Sequence, residues 1–335
     1  MNGLTELFFD RSNDIKYENL ADVDMLPNGK PARSWMKDWS QEERTEKFFE
    51  FCRAYDKRED SLLAENYQQF SHRLHWDECP FVDTLKTNND PEMVLHACLL
   101  FSFTNEHWQT FLAWKEGYNT GLREYLYEGN RPCRSDLFQI YYPKGTIVEE
   151  WLLAGPQKAA KALHHVLGSK NRPFTMMEFA KILNEHFVTE QGFRNAMYPC
   201  KNAARHIAMS HPEWVDPESF LHGGTGFFDG LQQVFDCPPL MSKVKYEIEP
   251  DGSYVALNKH GVQFMKHMIY LANHKSNPIV RQKFLNLEDK LCFFYKHIAI
   301  TQGIKQTTKQ IPYEWVYPRE WSLKTNRYDR LKNVA

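Results

Sequence analysis

The chain has 335 residues, of which 42% are hydrophobic, 25% charged and 14% aromatic. This supports a sizeable core, in two closely packed lobes or one large domain, and excludes a wholly disordered chain or a disulfide miniature. The net charge of −2 hides a polarity, because residues 1–150 carry 17 basic and 27 acidic side chains whereas residues 151–335 carry 24 and 16. An anionic partner for the second part is one reading of this asymmetry; chance segregation between two folded halves is the other.

No stretch approaches the roughly 18 uncharged apolar residues of a membrane span, and the first residues show no basic region ahead of an apolar one. Neither a membrane protein nor an exported one is expected. Cysteines 52, 79, 98, 133, 200, 237 and 292 stand singly with no C-x-x-C pair. Free thiols in a reducing compartment follow, and zinc ribbons, zinc deaminase motifs and a local iron–sulfur cluster are removed.

Residues 1–39 read as a poorly periodic lead-in with a turn at Pro27-Asn28-Gly29 and docking aromatics Phe8, Phe9, Tyr17 and Trp35. Ser40 to Glu43 forms a capping box that opens a helix with Phe48, Phe49, Phe51 and Cys52 as its apolar stripe. A long helix is predicted from Pro91 to Trp114, and another from Ile147 to Leu167 with an interruption at Gly155-Pro156. Thr175 to Glu178 is a second capping box, opening a helix through Phe187, and residues 191–209 read as helical again. Alternation through Val244, Tyr246 and Ile248, a turn at Pro250-Asp251-Gly252, and renewed alternation at Tyr254 and Ala256 predict a β-hairpin at about 243–258. Helices at about 259–274 and 287–302 precede a basic, aromatic C-terminal segment. The predicted fold is mainly α with this one inserted hairpin.

Three groups of residues could carry chemistry. In the first, Phe220 to Leu231, the glycines 223, 224 and 226 lie where an apolar helix end would meet a new amphipathic helix. Such a turn lets backbone N–H groups approach a phosphate, helped by the helix dipole, and resembles a helix-hairpin-helix DNA-binding turn; an ordinary interhelical turn is the competing reading. No P-loop is present, and no preceding strand supports a dinucleotide fingerprint. In the second, Lys201 and Arg205 lie four apart on one helix face, as a compact charge and a planar fork suited to pyrophosphate, or else as a solvated basic stripe. In the third, Glu288, Cys292 and Lys296 fall at i, i+4 and i+8. A carboxylate base beside a thiol and an amine is the chemical reading; a Glu–Lys ladder around a small buried cysteine is the structural one.

The fourteen histidines, including His164-His165, His206/His211 and His260/His267/His274, reproduce no zinc spacing, and no metal is expected. The last set, at seven-residue intervals, reads as solvated or hydrogen-bonded along one helix side. Trp108, Trp114, Trp151, Trp214, Trp315 and Trp321 could stack on bases or belong to the core.

Taken together, Tyr-Pro-Cys-Lys-Asn at 198–202, Val-Asp-Pro-Glu-Ser-Phe-Leu-His-Gly-Gly-Thr-Gly-Phe-Phe-Asp-Gly-Leu at 215–231 and Leu-Glu-x-x-Leu-Cys-x-x-x-Lys at 287–296 resemble a phage DNA-hypermodification family. It comprises the amino acid:DNA transferases and the related α-glutamyl/putrescinyl-thymine pyrophosphorylases. The resemblance covers mainly residues 190–300, and the N-terminal 90 residues lie outside it. It implies a DNA glycosylase-like fold with a helix-hairpin-helix near 216–235 in a catalytic region over 91–335 that ends in the basic segment; residues 1–90 are read as an acidic helical extension ahead of it.

The activity it implies joins an amine, commonly that of an amino acid, to the exocyclic carbon of pyrophosphate-activated 5-hydroxymethyluracil in phage DNA, with release of pyrophosphate. Glu288, Cys292 and Lys296 would then be catalytic, with Glu288 as base and Cys292 either adding to the ring or simply packing. Lys201, Arg205 and His222 would hold pyrophosphate, and Gly223, Gly224, Thr225, Gly226 and Asn202 would contact DNA. Partners would be DNA containing the modified thymine and an amino acid co-substrate, with no cofactor or membrane, in the cytoplasm of an infected bacterium. Flipping the target base from a duplex would cost a few kcal/mol. The aspartate that glycosylases place about twenty residues beyond the hairpin is not found in that setting, since Asp251 falls in the β-turn; this favours group transfer over base excision. The alternatives are a helix-hairpin-helix glycosylase, a polyamine-using pyrophosphorylase and a non-enzymatic DNA-binding module.

Overall fold

The computed structural model describes residues 15–16, 36, 38–57, 80–104, 108–116, 121–123, 141–235, 239 and 241–301. Phe8, Phe9, Tyr17, the 27–29 turn, Trp35, Cys79, Cys133, Cys237, Trp315, Trp321 and the basic C-terminal segment lie outside them. Among the described residues ten α-helices follow in order: α1 (Gln41–Lys57), α2 (Pro80–Leu85), α3 (Pro91–Phe103), α4 (Trp108–Glu116), α5 (Val148–Leu163), α6 (Met176–Glu190), α7 (Met197–Ser210), α8 (Thr225–Val234), α9 (Lys259–Asn273) and α10 (Lys283–Thr301). Five short strands accompany them: β1 (Ile15–Lys16), β2 (Phe174–Thr175), β3 (Val215–Asp216), β4 (Tyr246–Ile248) and β5 (Tyr254–Ala256). The fold is mainly helical.

The chain divides into two compact units, one of Met1–Asn66 with Glu218–Thr307 and one of Tyr67–Pro217 with Thr308–Ala335. The division drawn at residue 90 from sequence is therefore not the one the contacts draw. In the first unit α1 opens on the expected box, the Glu43 N–H donating to Ser40 Oγ at 3.2 Å and the Ser40 N–H to the Glu43 carboxylate at 2.7 Å. Its Phe48, Phe49, Phe51 and Cys52 are buried. Polar anchors fix α1 to later helices. The buried Arg44 guanidinium donates to the Val234 carbonyl at the end of α8 (2.9 Å), a favourable place for a cation. Tyr55 donates to Asp289 at 2.6 Å and Lys290 pairs with Asp56 at 2.8 Å, both joining α1 to α10.

The hairpin forms as predicted, with β4 antiparallel to β5, Ile248 opposite Tyr254, and Gly252 at φ +87° in the turn. β1 adds a parallel strand to β5, which the aperiodic lead-in did not announce. α8 packs most extensively on α10. Gln282, just before α10, is the non-glycine residue held at positive φ (44°) among those described, and its N–H donates to Glu218 at 2.9 Å.

In the second unit α7 is the central helix, packed by α2, α3 and α6 and buried at every position from Pro199 to Ser210. The helix expected over Pro91–Trp114 is two helices: α3 stops after Phe103, where the Thr104 hydroxyl donates back to the Leu100 carbonyl at 2.9 Å, and α4 follows. The interruption expected at Gly155-Pro156 does not occur. A Cβ on Gly155 would lie 2.5 Å from the Trp151 indole, so the glycine is required by packing inside a continuous α5, and its carbonyl accepts from Gln191 at 3.0 Å. The Thr175/Glu178 box opens α6 as predicted, with both reciprocal bonds at 3.2 Å. Residues 191–196 are not helical, because Gly192 turns at φ +72° and the Ala196 N–H is taken by the Asn184 side chain at 2.8 Å; α7 starts at Met197.

Candidate functional site

The first unit brings two of the sequence groups into contact. Gly226, on the first turn of α8, faces α10 so closely that a Cβ there would lie 2.6 Å from Cys292 Sγ. One turn later the backbone of Leu291 occupies the corresponding space at Gly230. The glycines at 226 and 230 are thus needed for close helix approach. Gly223 serves packing too, since the Phe227 side chain fills the space of its missing Cβ. Only Gly224, of the glycines in the turn, has open space around it; it is the N-cap of α8, at φ −93° and ψ −164°, with no side-chain capping bond, and Thr225 beside it is exposed. This leaves the α8 N-terminus available to an anion.

The turn differs from its sequence reading in one respect. It is entered from strand β3 and an irregular segment, not from a helix end, and the segment is held by the Tyr254 hydroxyl donating to the Phe220 carbonyl at 2.6 Å. His222 follows, its ring among Phe228, Tyr246 and Phe264 at centroid distances of 5.3, 5.6 and 5.3 Å. It belongs to the first unit, whereas Lys201 and Arg205 belong to the second.

On α10 the spacing of Glu288, Cys292 and Lys296 is realised in one continuous helix, and all three are partly exposed. Cys292 is a free thiol. The Lys296 ammonium lies over the Phe293 ring, 4.1 Å from its centroid. Asp289 and Lys290, between these residues in sequence, turn the other way and hold α1. The sequence reading gave no role to Asp229 or Tyr295. Asp229 stands three residues after Gly226 on the α10-facing side of α8, and Tyr295 three residues after Cys292 on the α8-facing side of α10. Burial and the Asp229 charge both raise the Tyr295 phenol above its ordinary range. The i, i+3, i+4 pattern through Gly226, Asp229 and Gly230 was the available signal.

In the second unit Lys201 and Arg205 share a face of α7 as predicted, but the solvated-stripe alternative fails: they are 6% and 3% exposed, and Asn202 is 1% exposed. Arg205 donates to Asn202 Oδ1 at 3.2 Å, while Asn202 Nδ2 has no hydrogen-bond partner among the described residues. His206, fully buried, meets the Phe81 ring edge-on at 5.0 Å. Cations removed from water interact with an anion several-fold more strongly than solvated ones. Asn202, being buried, is not a surface contact for a DNA backbone.

Ligand atoms of Glu42, Glu46 and His274 lie within 4.8 Å of one another, as the metal-compatible trio among the described residues. The His274 Nδ1 accepts the Ser276 N–H at 3.3 Å, so the ring proton sits on Nε2, which donates to Glu42 at 3.1 Å. Glu42 also pairs with Lys275 at 2.8 Å, and these bonds to Lys275 and His274 lower its carboxyl to about 2. The trio is a clamp between α1 and the end of α9. His267 is fully buried and stacks on Phe235 at 3.8 Å, so the solvated reading of the 260/267/274 set fails at its middle member. Trp114 and Trp151 are buried, Trp114 donating to His96 at 3.1 Å, which places both in the core and away from bases. Cys52, Cys98 and Cys200 are buried thiols outside any disulfide. No helix among the described residues is long and apolar enough to cross a membrane. Comparison of the chain with protein-family models, curated proteins and solved structures finds no match.

Proposed function

We propose that the chain is an amino acid:DNA transferase with a mainly helical, glycosylase-like fold, acting on pyrophosphate-activated 5-hydroxymethyluracil in phage DNA within the infected cell. The observation that carries this reading is the contact of Gly226 with Cys292: two of the separate sequence stretches on which the family resemblance rests, the glycine turn and the Glu-Leu-Cys-Lys helix, pack directly on each other. A shared site is a physical reason for both to occur in one chain.

The amine arrives as an ammonium and must lose a proton before it can attack. Glu288 takes that proton; the nitrogen lone pair then forms the C–N bond to the exocyclic carbon as the C–O bond to pyrophosphate breaks, and the second nitrogen proton leaves to solvent. Pyrophosphate departs with the bonding electrons, and cationic or N–H groups facing it would stabilise the charge that develops. The uncapped α8 N-terminus at Gly224 and Thr225 holds a DNA phosphate. Pyrophosphate release that requires both activated DNA and an amine, and that is lost in Glu288→Gln, is the expected result; release in the absence of amine refutes the transfer.

The open α8 N-terminus also favours a second reading, a DNA-binding module that grips phosphate and catalyses nothing. On that reading Glu288→Gln leaves function intact, and DNA binding falls with rising salt without any chemical change in the DNA.

A further inference from the structure

At the open end of the β4–β5 hairpin three lysines gather on the protein surface. Along the stretch leading into β4, Lys243, Lys245 and Glu247 are exposed and alternate with the part-buried Val244, Tyr246 and Ile248. Continuing the β4–β5 register by one residue sets Lys245 opposite the exposed Leu257, whose N–H donates to the Lys245 carbonyl at 3.0 Å. Next, Asn258 Nδ2 donates to the Lys243 carbonyl at 2.8 Å, while Asn258 Oδ1 caps α9 by accepting the Gly261 N–H at 2.9 Å. Gly261 abuts the Lys245 carbonyl so closely that a Cβ there would overlap it. These contacts hold the backbones of Lys243 and Lys245 beside the start of α9, whose first residue is the exposed Lys259.

Like charges crowd here without compensation. The first turn of α9 holds Lys259 and His260 and no acidic residue, at the helix end where cations are disfavoured. Partial burial and then the charges of Lys243 and Lys259 hold the His260 imidazole below its ordinary range. Lys243, Lys245 and Lys259 make no ion pair among the described residues, and Glu247 is the next exposed position along the strand. An anion would relieve this crowding. Ammonium groups are compact charges that suit phosphate oxygens without reading sequence. Met241 and Leu257 are the large apolar side chains exposed in this stretch, too few for the apolar face with which a peripheral element enters a membrane. Tyr246, next after Lys245, packs its ring 5.6 Å from that of His222, which leads into the uncapped N-terminus of α8 in the same unit.

We propose that Lys243, Lys245 and Lys259 form a docking surface for the phosphate backbone of DNA. The choice of DNA as the polyanion rests on the proposed function, whereas none of the three lysines takes part in the chemistry given there. They hold phosphates flanking the target nucleotide and supply affinity, not base selectivity.

Fluorescence anisotropy with a short labelled duplex of unmodified DNA, on the intact protein over a range of salt, reads this docking without turnover. Wild-type binding is expected to weaken as salt rises. Lys243→Gln/Lys245→Gln/Lys259→Gln is expected to bind at least tenfold more weakly at low salt, at an unchanged unfolding midpoint. Its logarithmic salt slope should be smaller by about 2–3, since each phosphate contact contributes roughly 0.9. The corresponding triple change to arginine keeps the affinity. Lys144→Gln/Lys158→Gln/Lys161→Gln removes the same charge from exposed positions of the second unit and is expected to change the affinity less than twofold. Equal losses in the two glutamine triples, or an unchanged affinity and slope in the first, overturn the surface. So does a wild type that fails to bind the duplex, and binding to phosphatidylserine vesicles in its place would assign the patch to a membrane. DNA binding that depends on the three lysines, with no modified nucleoside formed from activated DNA, leaves the surface standing and overturns the transferase.

Discussion

Gly226 and Cys292 are in direct contact, a Cβ on the glycine coming within 2.6 Å of the cysteine sulfur. Overpacking of this kind costs about 1–3 kcal/mol, against which alanine gains up to about 1 kcal/mol in helix propensity. Gly226→Ala is therefore expected to lower stability in urea unfolding, and Gly226→Ala with Cys292→Ala to recover most of the loss. Gly230→Ala meets the Leu291 backbone, which no side-chain change relieves, and is expected to cost more. Additive effects of the 226 and 292 substitutions would contradict the contact.

The ion pair of Lys290, whose side chain is 4% exposed, with Asp56 predicts an asymmetry. Removing the carboxylate by Asp56→Ala strands a buried ammonium and is expected to cost about 3–5 kcal/mol. Asp56→Ala combined with Lys290→Met is expected to cost less than Asp56→Ala alone. The opposite order in thermal or urea unfolding would show that the pair does not act as a unit.

His267 gives the fold a defined acid sensitivity. Burial lowers its imidazole to about 3 from an ordinary 6.5, so the unfolded chain binds a proton between those values and the folded chain does not. Its stability contribution is complete above pH 6.5 and is lost as pH falls towards 3, at a slope of up to about 1.4 kcal/mol per pH unit. Buried His96, lowered to about 4, adds to the same trend. His267→Phe keeps a ring against Phe235 and removes the ionisable nitrogens; unfolding free energies between pH 6 and 4 should then fall less steeply. An unchanged slope would show that His267 is not the group responsible.

Much of the local structure was legible because it depends on neighbours in sequence. Ser40/Glu43 and Thr175/Glu178 close their capping boxes within one turn, and the Pro250-Asp251-Gly252 signal sets the hairpin directly. What depends on distant residues was not legible. Gly155 looks like a helix breaker until Trp151 and Gln191 are seen around it, and the Tyr55–Asp289 and Lys290–Asp56 links that tie α1 to α10 join residues more than 200 positions apart. The same holds for the candidate site. The spacing of Glu288, Cys292 and Lys296 could be counted from sequence, whereas the packing of Gly226 on Cys292 and the burial of Lys201 and Arg205 are tertiary facts.

The buried cations of α7 predict a distinction between charge and shape. Arg205→Lys retains the charge but loses the planar fork, one arm of which donates to Asn202 Oδ1 at 3.2 Å, and because Arg205 is 3% exposed the change is expected to lower the unfolding midpoint. An unchanged midpoint in thermal unfolding would show that charge alone, and not the fork, is what this position of α7 needs.

Mass spectrometry of nucleosides digested from DNA carrying 5-pyrophosphoryloxymethyluracil, after incubation with the protein, amino acids and polyamines, tests the central claim most directly. The account predicts a new nucleoside in which one amine has replaced the pyrophosphate, formed together with free pyrophosphate. An abasic product, or DNA that is bound but chemically unchanged, would contradict it.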